Sequence, residues 1–377
     1  MRILIESSVS RCEWAAALAV SPSRPRPPLL YSSLPAFKAA GHAVALLNNT
    51  PIGLARGDEL GFERTFRRSE LSAALSSVDL ALLWSSFGIR AIASQLLKYR
   101  FRRKVFLASY VWRVPDDSGL AAKRLAWATR LIARRAAGVV VMTREQALGA
   151  RRELPSRLPV IEFTWGIDCD FYAQAGELAD VADEHREIVA RIIQKPYVIL
   201  AGDQLRHDDN AIALAKSHGV RLVRVPQEAH TAARYRQAIA QEALLDRLFV
   251  VEKASYPTLR FLMQNSFAYV GLVDSSWQPA GWTVLSEALA CGTPAVVYEG
   301  LVSREMQRLG GTGHFTVVPD RDLARMASWL HSQQSLPSSG SGAAARRSFA
   351  RSALDLSLTG SRFVADLERA LSFPGRP

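Results

Sequence analysis

The sequence predicts an α/β protein of two doubly wound domains, each a parallel sheet with helices on both faces. Three observations carry this. Short runs of β-branched and other apolar residues alternate with helix-length segments along almost the whole chain. Those runs are apolar throughout, without polar alternation, as strands buried on both faces of a parallel sheet must be. The chain's 377 residues also exceed what one core comfortably holds.

In the first half the strand runs are "RILIE" (2–6), "AVALLN" (43–48), "DLALLW" (79–84), "KVFLAS" (104–109) and "GVVVM" (138–142). Helical stretches fall between them, among them 34–40 and 123–135. The second half repeats the scheme with "YVILAG" (197–202), "VRLVRV" (220–225), "LFVVE" (248–252), "FAYVGL" (267–272) and "PAVVYE" (294–299). A seam is expected around "FTWGIDCDFYA" (163–173), giving a first domain over 1–165 and a second over 166–348. The Ser/Gly-rich "SLPSSGSGAAARRS" (335–348) reads as an exposed loop, and 349–377 as a helical tail. No repeat of solenoid period is visible.

Composition fits a soluble globular chain, with 49% hydrophobic residues and no dominant low-complexity block. No apolar run approaches the roughly 20 residues of a membrane-crossing helix. Glu6 and Glu13 ahead of "WAAALAV" make a poor signal peptide. Cys12, Cys169 and Cys291 are far apart and match no metal spacing, which suits a reduced cytoplasm and a cytoplasmic protein. The net charge of +12 is unevenly placed: residues 1–165 hold 25 Lys and Arg against 12 Asp and Glu, and the remainder is nearly neutral. The densest basic stretch, "KYRFRRK" (98–104), continues a segment whose apolar face carries Ile89, Ile92, Leu96 and Tyr99. Such a half could face nucleic acid, an anionic membrane or a phosphorylated substrate, or be a solvated arginine-rich surface.

In open α/β sheets ligands bind beyond the carboxyl ends of the strands, which singles out the loops at 6–8, 85–86, 110–117, 143–144, 203–209 and 275–283. The last leads into "GWTVLSEALACGTPAVVYEG" (281–300), read as a helix over 283–290, a stop at Gly292 and a core strand. Gly281 lets backbone approach a ligand, and the helix start beside it presents N–H groups to phosphate. Thr283 and Glu287, four apart, project from one face. A carboxylate one turn below a phosphate site can accept from both hydroxyls of a ribose. The alternative, a partly exposed helix residue, sits poorly beside Val284, Leu285, Ala288 and Leu289.

This stretch resembles the C-terminal signature of retaining glycosyltransferases of family 4. "FTWGIDCDFYA" is similar to that family's interdomain segment, and "ASYPTLRFLMQNSFAYVGL" and "TGHFTVVPDRDLARMASWL" to the elements flanking the signature. The resemblance covers roughly residues 160–335 in order. It implies the GT-B fold: two Rossmann-like domains with sheets facing a cleft and a C-terminal helix returning to the first domain. It implies transfer of a sugar from a nucleotide-diphosphate donor to an acceptor hydroxyl with retention, in assembly of cell-surface polysaccharide or lipopolysaccharide, without metal or cofactor. Carried over by position, Glu287 is the ribose-binding acid, and Gly281, Trp282 and Thr283 border the diphosphate and sugar. Arg206 in "AGDQLRHDDN" stands at the diphosphate or is a solvated loop arginine. Glu287 and Arg206 are the catalytic candidates. Ser85, Ser86, Tyr110, Trp112 and Asp116 are the acceptor-side candidates.

The chain departs from the pattern at Pro279, where the family's first glutamate stands, and in "ESSVSRCEW", which replaces a glycine-rich loop. His42 precedes a strand and reads as structural. "HDD" (207–209) reads as a polar turn, and no Asp-x-Asp metal motif is evident. A lipid-linked acceptor on an anionic leaflet would give the basic half a role, with peripheral attachment expected through 89–104. The rival readings are a nucleotide-sugar-binding protein without turnover, motivated by Pro279, an inverting relative, and a transferase acting on a small soluble acceptor. No helix-turn-helix, RRM or zinc pattern supports a nucleic-acid partner, and no G-x-G-x-x-G follows the first strand as in a dehydrogenase.

Overall fold

The computed structural model describes residues 1–7, 34–48, 64–97, 99–102, 104–109, 112–113, 119–334 and 340–372. The chain divides into two compact units. Unit 1 is Met1–Gly166 with Ser276–Pro279 and Leu356–Pro377; unit 2 is Ile167–Ser275 with Ala280–Asp355.

Unit 1 is built on β1 (Arg2–Ser7), β2 (Ala43–Asn48), β3 (Arg64–Arg67), β4 (Leu80–Trp84), β5 (Val105–Ser109), β6 (Gly138–Val141) and β7 (Val160–Glu162). They form one sheet in the order β3-β2-β1-β4-β5-β6-β7, every pair parallel. The central β1 sets the register, with Ile3 opposite Val44 on one side and Leu80 on the other. All five expected strands are present, and every residue of β5 and β6 is buried, as strands covered on both faces should be. The two unexpected strands, β3 and β7, are the two edges of the sheet.

The helices of this unit are α1 (Leu34–Ala39), α2 (Leu71–Ser77), α3 (Ser85–Leu96), α4 (Tyr99–Arg102), α5 (Leu120–Ala133) and α6 (Arg144–Glu153). The 89–104 segment contributes Ile92, Leu96 and Phe101 to the core with Leu107 and Val139. Two of its cations are tied to backbone, Arg102 Nε donating to Leu96 O at 2.9 Å and Lys104 Nζ to Val78 O at 2.7 Å.

Unit 2 has β8 (Val198–Ala201), β9 (Leu222–Val225), β10 (Leu248–Val250), β11 (Ala268–Gly271), β12 (Ala295–Tyr298) and β13 (Thr316–Val318). The order β10-β9-β8-β11-β12-β13 is again wholly parallel. The strand order reverses direction between β8 and β11, so the chain leaves these two neighbours toward opposite sides. The helices are α7 (Cys169–Ala173), α8 (Asp183–Ile192), α9 (Asp208–Ser217), α10 (Ala229–Gln241), α11 (Tyr256–Asn265), α12 (Trp282–Cys291), α13 (Leu301–Met306), α14 (Leu323–Gln334) and α15 (Gly340–Ala353).

The loop expected over 335–348 is helical from Gly340, while 335–339 lie outside the described residues. The run of alanines and arginines that follows Gly342 is good helical material. Its two arginines also have a task, because the last carbonyls of α12 need donors. Arg347 Nε and Nη2 donate to Cys291 O at 3.2 and 3.0 Å, and Arg346 Nε donates to Gly292 O at 2.8 Å. Two guanidinium charges at that end also suit the negative pole of the helix.

The final helix, α16 (Leu356–Leu371), returns to unit 1 and packs on α1 and β7. Phe363, Val364 and Leu367 form its buried stripe. The Phe363 ring lies 4.6 Å from that of Phe163 and edge-on to Phe37 at 6.1 Å. His42 has the structural part expected of it: its Nε2 lies 3.0 Å from Glu368 Oε1. Among the described residues no helix is long and apolar enough to cross a membrane. Phe363 is 4% exposed and anchors the returning helix, so Phe363→Ala should cost about 3–5 kcal/mol, read as a lowered urea midpoint. An unchanged midpoint would show the returning helix to be dispensable.

Candidate functional site

Arg206, Gly281, Trp282, Thr283 and Glu287 belong to unit 2 and lie on elements around the reversal point between β8 and β11. The loop after β8 carries Gly202 and Arg206, and the segment after β11 leads into α12. Gly281 caps α12 with φ +85°, a conformation that glycine adopts at no steric cost, and no side chain caps the helix. The leading N–H groups of a helix lack intrahelical acceptors and carry the positive end of its dipole.

Arg206 lies against this corner. Its Nε and Nη2 donate to Ala201 O at 3.1 and 2.8 Å, and Nη1 donates to Gln204 O at 3.3 Å. The guanidinium is thereby held by its edge on the end of β8. A Cβ at Gly202 would come within 2.8 Å of Nη2, and one at Gly281 within 3.3 Å of Nη1. Two glycines of positive φ therefore make room for one guanidinium. Burial pulls the Arg206 pKa below its ordinary value, Tyr269 opposes this, and Arg224 adds to it. A planar cation beside an uncapped helix start has the chemistry to hold a phosphate or another oxyanion.

Glu287 lies one and a half turns along α12 and is 2% exposed. Its Oε1 accepts from the hydroxyl of Tyr172 on α7 at 2.7 Å. Burial pushes the carboxyl up to about 8, the Tyr172 hydrogen bond opposing that rise. The Tyr172 hydroxyl is itself held well above its ordinary pKa, by burial first and then by Glu287. Near neutrality Glu287 is thus mostly a carboxylic acid, which both donates and accepts, where the sequence suggested an open carboxylate. Trp282 is also buried, at 2% exposure, while Thr283 is partly exposed on the first turn. Beneath that turn a cavity of about 20 Å³ lies among Tyr269, Gly271, Gly281, Leu285 and Tyr298, room for roughly one water. A larger cavity of about 210 Å³, bordered by Lys195, Gly219, Arg221 and His331, lies at the amino ends of the strands, the end that open α/β sheets do not use for ligands.

The reversal point also holds a network that sequence reasoning did not assemble. His207 Nε2 and Asp274 Oδ1 are 2.7 Å apart, and Arg321 pairs with the other Asp274 oxygen. Burial raises the Asp274 pKa, but the hydrogen bonds from His207 and Arg321, with their charges, more than offset it and leave the carboxyl below its usual range. The His207 ring stands edge-on to Tyr298, whose hydroxyl accepts from Asn210 at 2.9 Å. The "HDD" read as a polar turn is the start of α9, with His207 at its cap and Asp208 and Asp209 in its first turn, and the partner of His207 stands 67 residues away. Only the adjacency of β8 and β11 reveals the pair. Tyr172 did leave a signal: a tyrosine buried within "DCDFYA" needs a partner for its hydroxyl. Among the described residues no group of three His, Cys, Asp or Glu could hold a metal.

The acceptor-side candidates belong to unit 1. Ser85 and Ser86 open α3 directly after β4. Trp112 is 1% exposed and part of the unit 1 core, with its Cδ1 3.4 Å from the point a Cβ on Gly149 would occupy. Its indole is enclosed and does not line a surface. Tyr110 and Asp116 lie outside the described residues. The segment 276–279, with Pro279, also groups with unit 1, where Trp277 O accepts from Gln146 Nε2 at 3.2 Å.

Sucrose-phosphate synthase from Thermosynechococcus elongatus matches at TM-score 0.73 and 15% identity, over 98% of this chain and 99% of its own. The chain has the GT-B fold. HepE of Anabaena, in complex with UDP and glucose, matches at TM-score 0.66 and 14% identity, over 98% of this chain and 100% of its own. The α,α-trehalose-6-phosphate synthase of Burkholderia multivorans matches at 0.63 and 15%, over 100% and 99%. No family description and no curated protein matches the chain.

The Glu287–Tyr172 pair has a pH signature. The folded pKa of about 8 exceeds the ordinary 4.5, so between these values the folded chain keeps a proton that the unfolded chain has released. Stability from this group is full below the lower value and falls as pH rises toward the upper, by at most about 1.4 kcal/mol per unit. Glu287→Gln should remove that slope from urea midpoints recorded between pH 5 and pH 8. Tyr172→Phe should cost about 1 kcal/mol and extend the slope to higher pH, because the hydrogen bond it deletes holds the pKa down. Equal slopes in wild type and Glu287→Gln would contradict the assignment.

Proposed function

We propose that this chain is a glycosyltransferase using a nucleoside-diphosphate sugar, with the donor held by unit 2. The observation that carries the reading is the corner at which Arg206 lies between Gly202 and Gly281, beside the uncapped start of α12 and above a buried acid. The fold supports it, since HepE of the same fold was solved in complex with UDP-glucose. In this reading the diphosphate takes the α12 N–H groups and the Arg206 guanidinium. The ribose reaches Glu287, whose carboxylic acid can donate to one hydroxyl and accept from the other in place of Tyr172.

The finer assignment is to the retaining transferases of family 4, supported by the succession of motifs from residue 160 to 335. The acceptor oxygen attacks the anomeric carbon on the face that the diphosphate leaves. The C–O bond to phosphate breaks as the new one forms, its electron pair stays on the diphosphate, and a phosphate oxygen takes the acceptor's proton. Helix dipole and guanidinium stabilise the departing charge, so the step needs no metal from these residues. The acceptor is a glycan or lipid-linked sugar bound by unit 1, Ser85 and Ser86 remaining its nearest candidates. A second reading, a nucleotide-sugar binder without turnover, is favoured by Pro279 in place of a donor-sugar glutamate; sugar release or transfer above background from a bound donor excludes it.

The test is thermal unfolding with UDP-, GDP- and ADP-sugars. One nucleotide class should raise the melting temperature, by about 2.7 kcal/mol of added stability at a hundredfold excess over Kd. Arg206→Met and Glu287→Gln should each reduce that shift. A shift of full size in both variants would remove the donor from this corner. Product anomeric configuration then decides retention.

A further inference from the structure

We propose that the outward face of α5 is a docking surface for an anionic lipid bilayer. The inner face of this helix carries Ala126, Thr129 and Ala133 in the unit 1 core, and α3 packs beside it. Opposite them stand Leu120, Trp127 and Leu131, exposed to 71, 61 and 47%. At about 100° per residue these three fall within about 40° of one another, a single apolar line along the helix. A globular helix normally turns such a line inward, and here the core is already served by small residues.

Basic residues border the line. Arg124 lies on one flank and Lys123 on the other, and Arg134 and Arg135 follow at the carboxyl end. Arg124, Arg134 and Arg135 are exposed, and α5 contains no acidic residue. The neighbouring Glu153 is engaged by Arg113 and Arg130. A cationic border around an exposed Trp–Leu stripe matches an anionic interface: arginines meet lipid phosphates, the indole lies at headgroup level, and the leucines enter the acyl boundary. Nucleic acid would use the arginines and leave the apolar line in water. A second copy would face the stripe with its own, bringing arginine against arginine across a two-fold contact.

This surface is carried by α5 itself and not by the adjoining 89–104 segment, of which Ile92, Leu96 and Phe101 are in the core. It stands independently of the donor assignment, and it accounts for a lipid-borne acceptor if that assignment holds.

Flotation of the full chain with phosphatidylcholine vesicles, and with vesicles containing phosphatidylglycerol, tests it. Wild type should float with the anionic vesicles only. Trp127→Ser/Leu131→Ser and, separately, Arg124→Ser/Arg134→Ser/Arg135→Ser should each lower recovery by roughly tenfold, with unchanged melting temperatures because the changed side chains are exposed. Equal flotation with both vesicle types, flotation with neither, or variants that float like wild type would overturn the proposal. So would a dimer in light scattering that Trp127→Ser/Leu131→Ser dissociates, or duplex DNA binding sensitive to the arginine variant alone. Nucleotide-sugar thermal shifts on the same preparations keep the two ideas apart: shifts retained while flotation fails would remove only the membrane surface.

Discussion

Strands β8 and β11 run side by side while their chains depart in opposite directions, and the chemistry of unit 2 depends on that divergence. Elsewhere in a parallel sheet the loop from one strand passes over its neighbour and closes the space between them. At a reversal it cannot, and a recess remains at the carboxyl ends. Arg206 and His207 enter it from the β8 side, Asp274 and the start of α12 from the β11 side. The glycine conformations, the arginine laid on Ala201 O and the acid beneath α12 elaborate a recess that strand order had already made.

The interior of that corner is held by an uncharged pair. An ionised carboxylate at 2% exposure would demand compensation that one tyrosine hydroxyl does not supply. Raising the pKa is the cheaper solution, and it leaves a proton on Glu287 across much of the neutral range. At the mouth the arrangement is reversed. Asp274 meets His207 and the Arg321 guanidinium, whose hydrogen bonds hold its pKa down, and it stays ionised. Two carboxyl groups near one recess thus take opposite protonation states because one is buried with a single hydroxyl partner and the other is partly exposed beside Arg321.

How much of this was legible in the sequence follows from what each element had to bury. Strands β1, β2, β4, β5 and β6 and their unit 2 counterparts lie mostly inside a sheet, need apolar residues on both faces and announced themselves as unbroken runs. The edge strands β3 and β7 are shorter and carry Arg64, Arg67 and Glu162, since one side is open, and no periodicity marked them. The α12 start and Gly281 were readable because the turn, the helix and its stop are local. His207 with Asp274, and Tyr172 with Glu287, were out of reach because each pairing joins distant positions. The helix over 340–353 was masked by composition: glycine and serine at its beginning read as loop, and the need for donors at the end of α12 is invisible without the fold.

Gly202 and Gly281 stand 79 positions apart, yet both are shaped by one side chain. A methyl group at either would meet a guanidinium nitrogen, and each backbone is already in a conformation that other residues enter at a cost. Because a guanidinium is the yielding end of a flexible side chain, a methyl at Gly202 or Gly281 would displace Arg206 as well as strain its own backbone. A lesion at either glycine is therefore felt at a cation that stands elsewhere in the sequence.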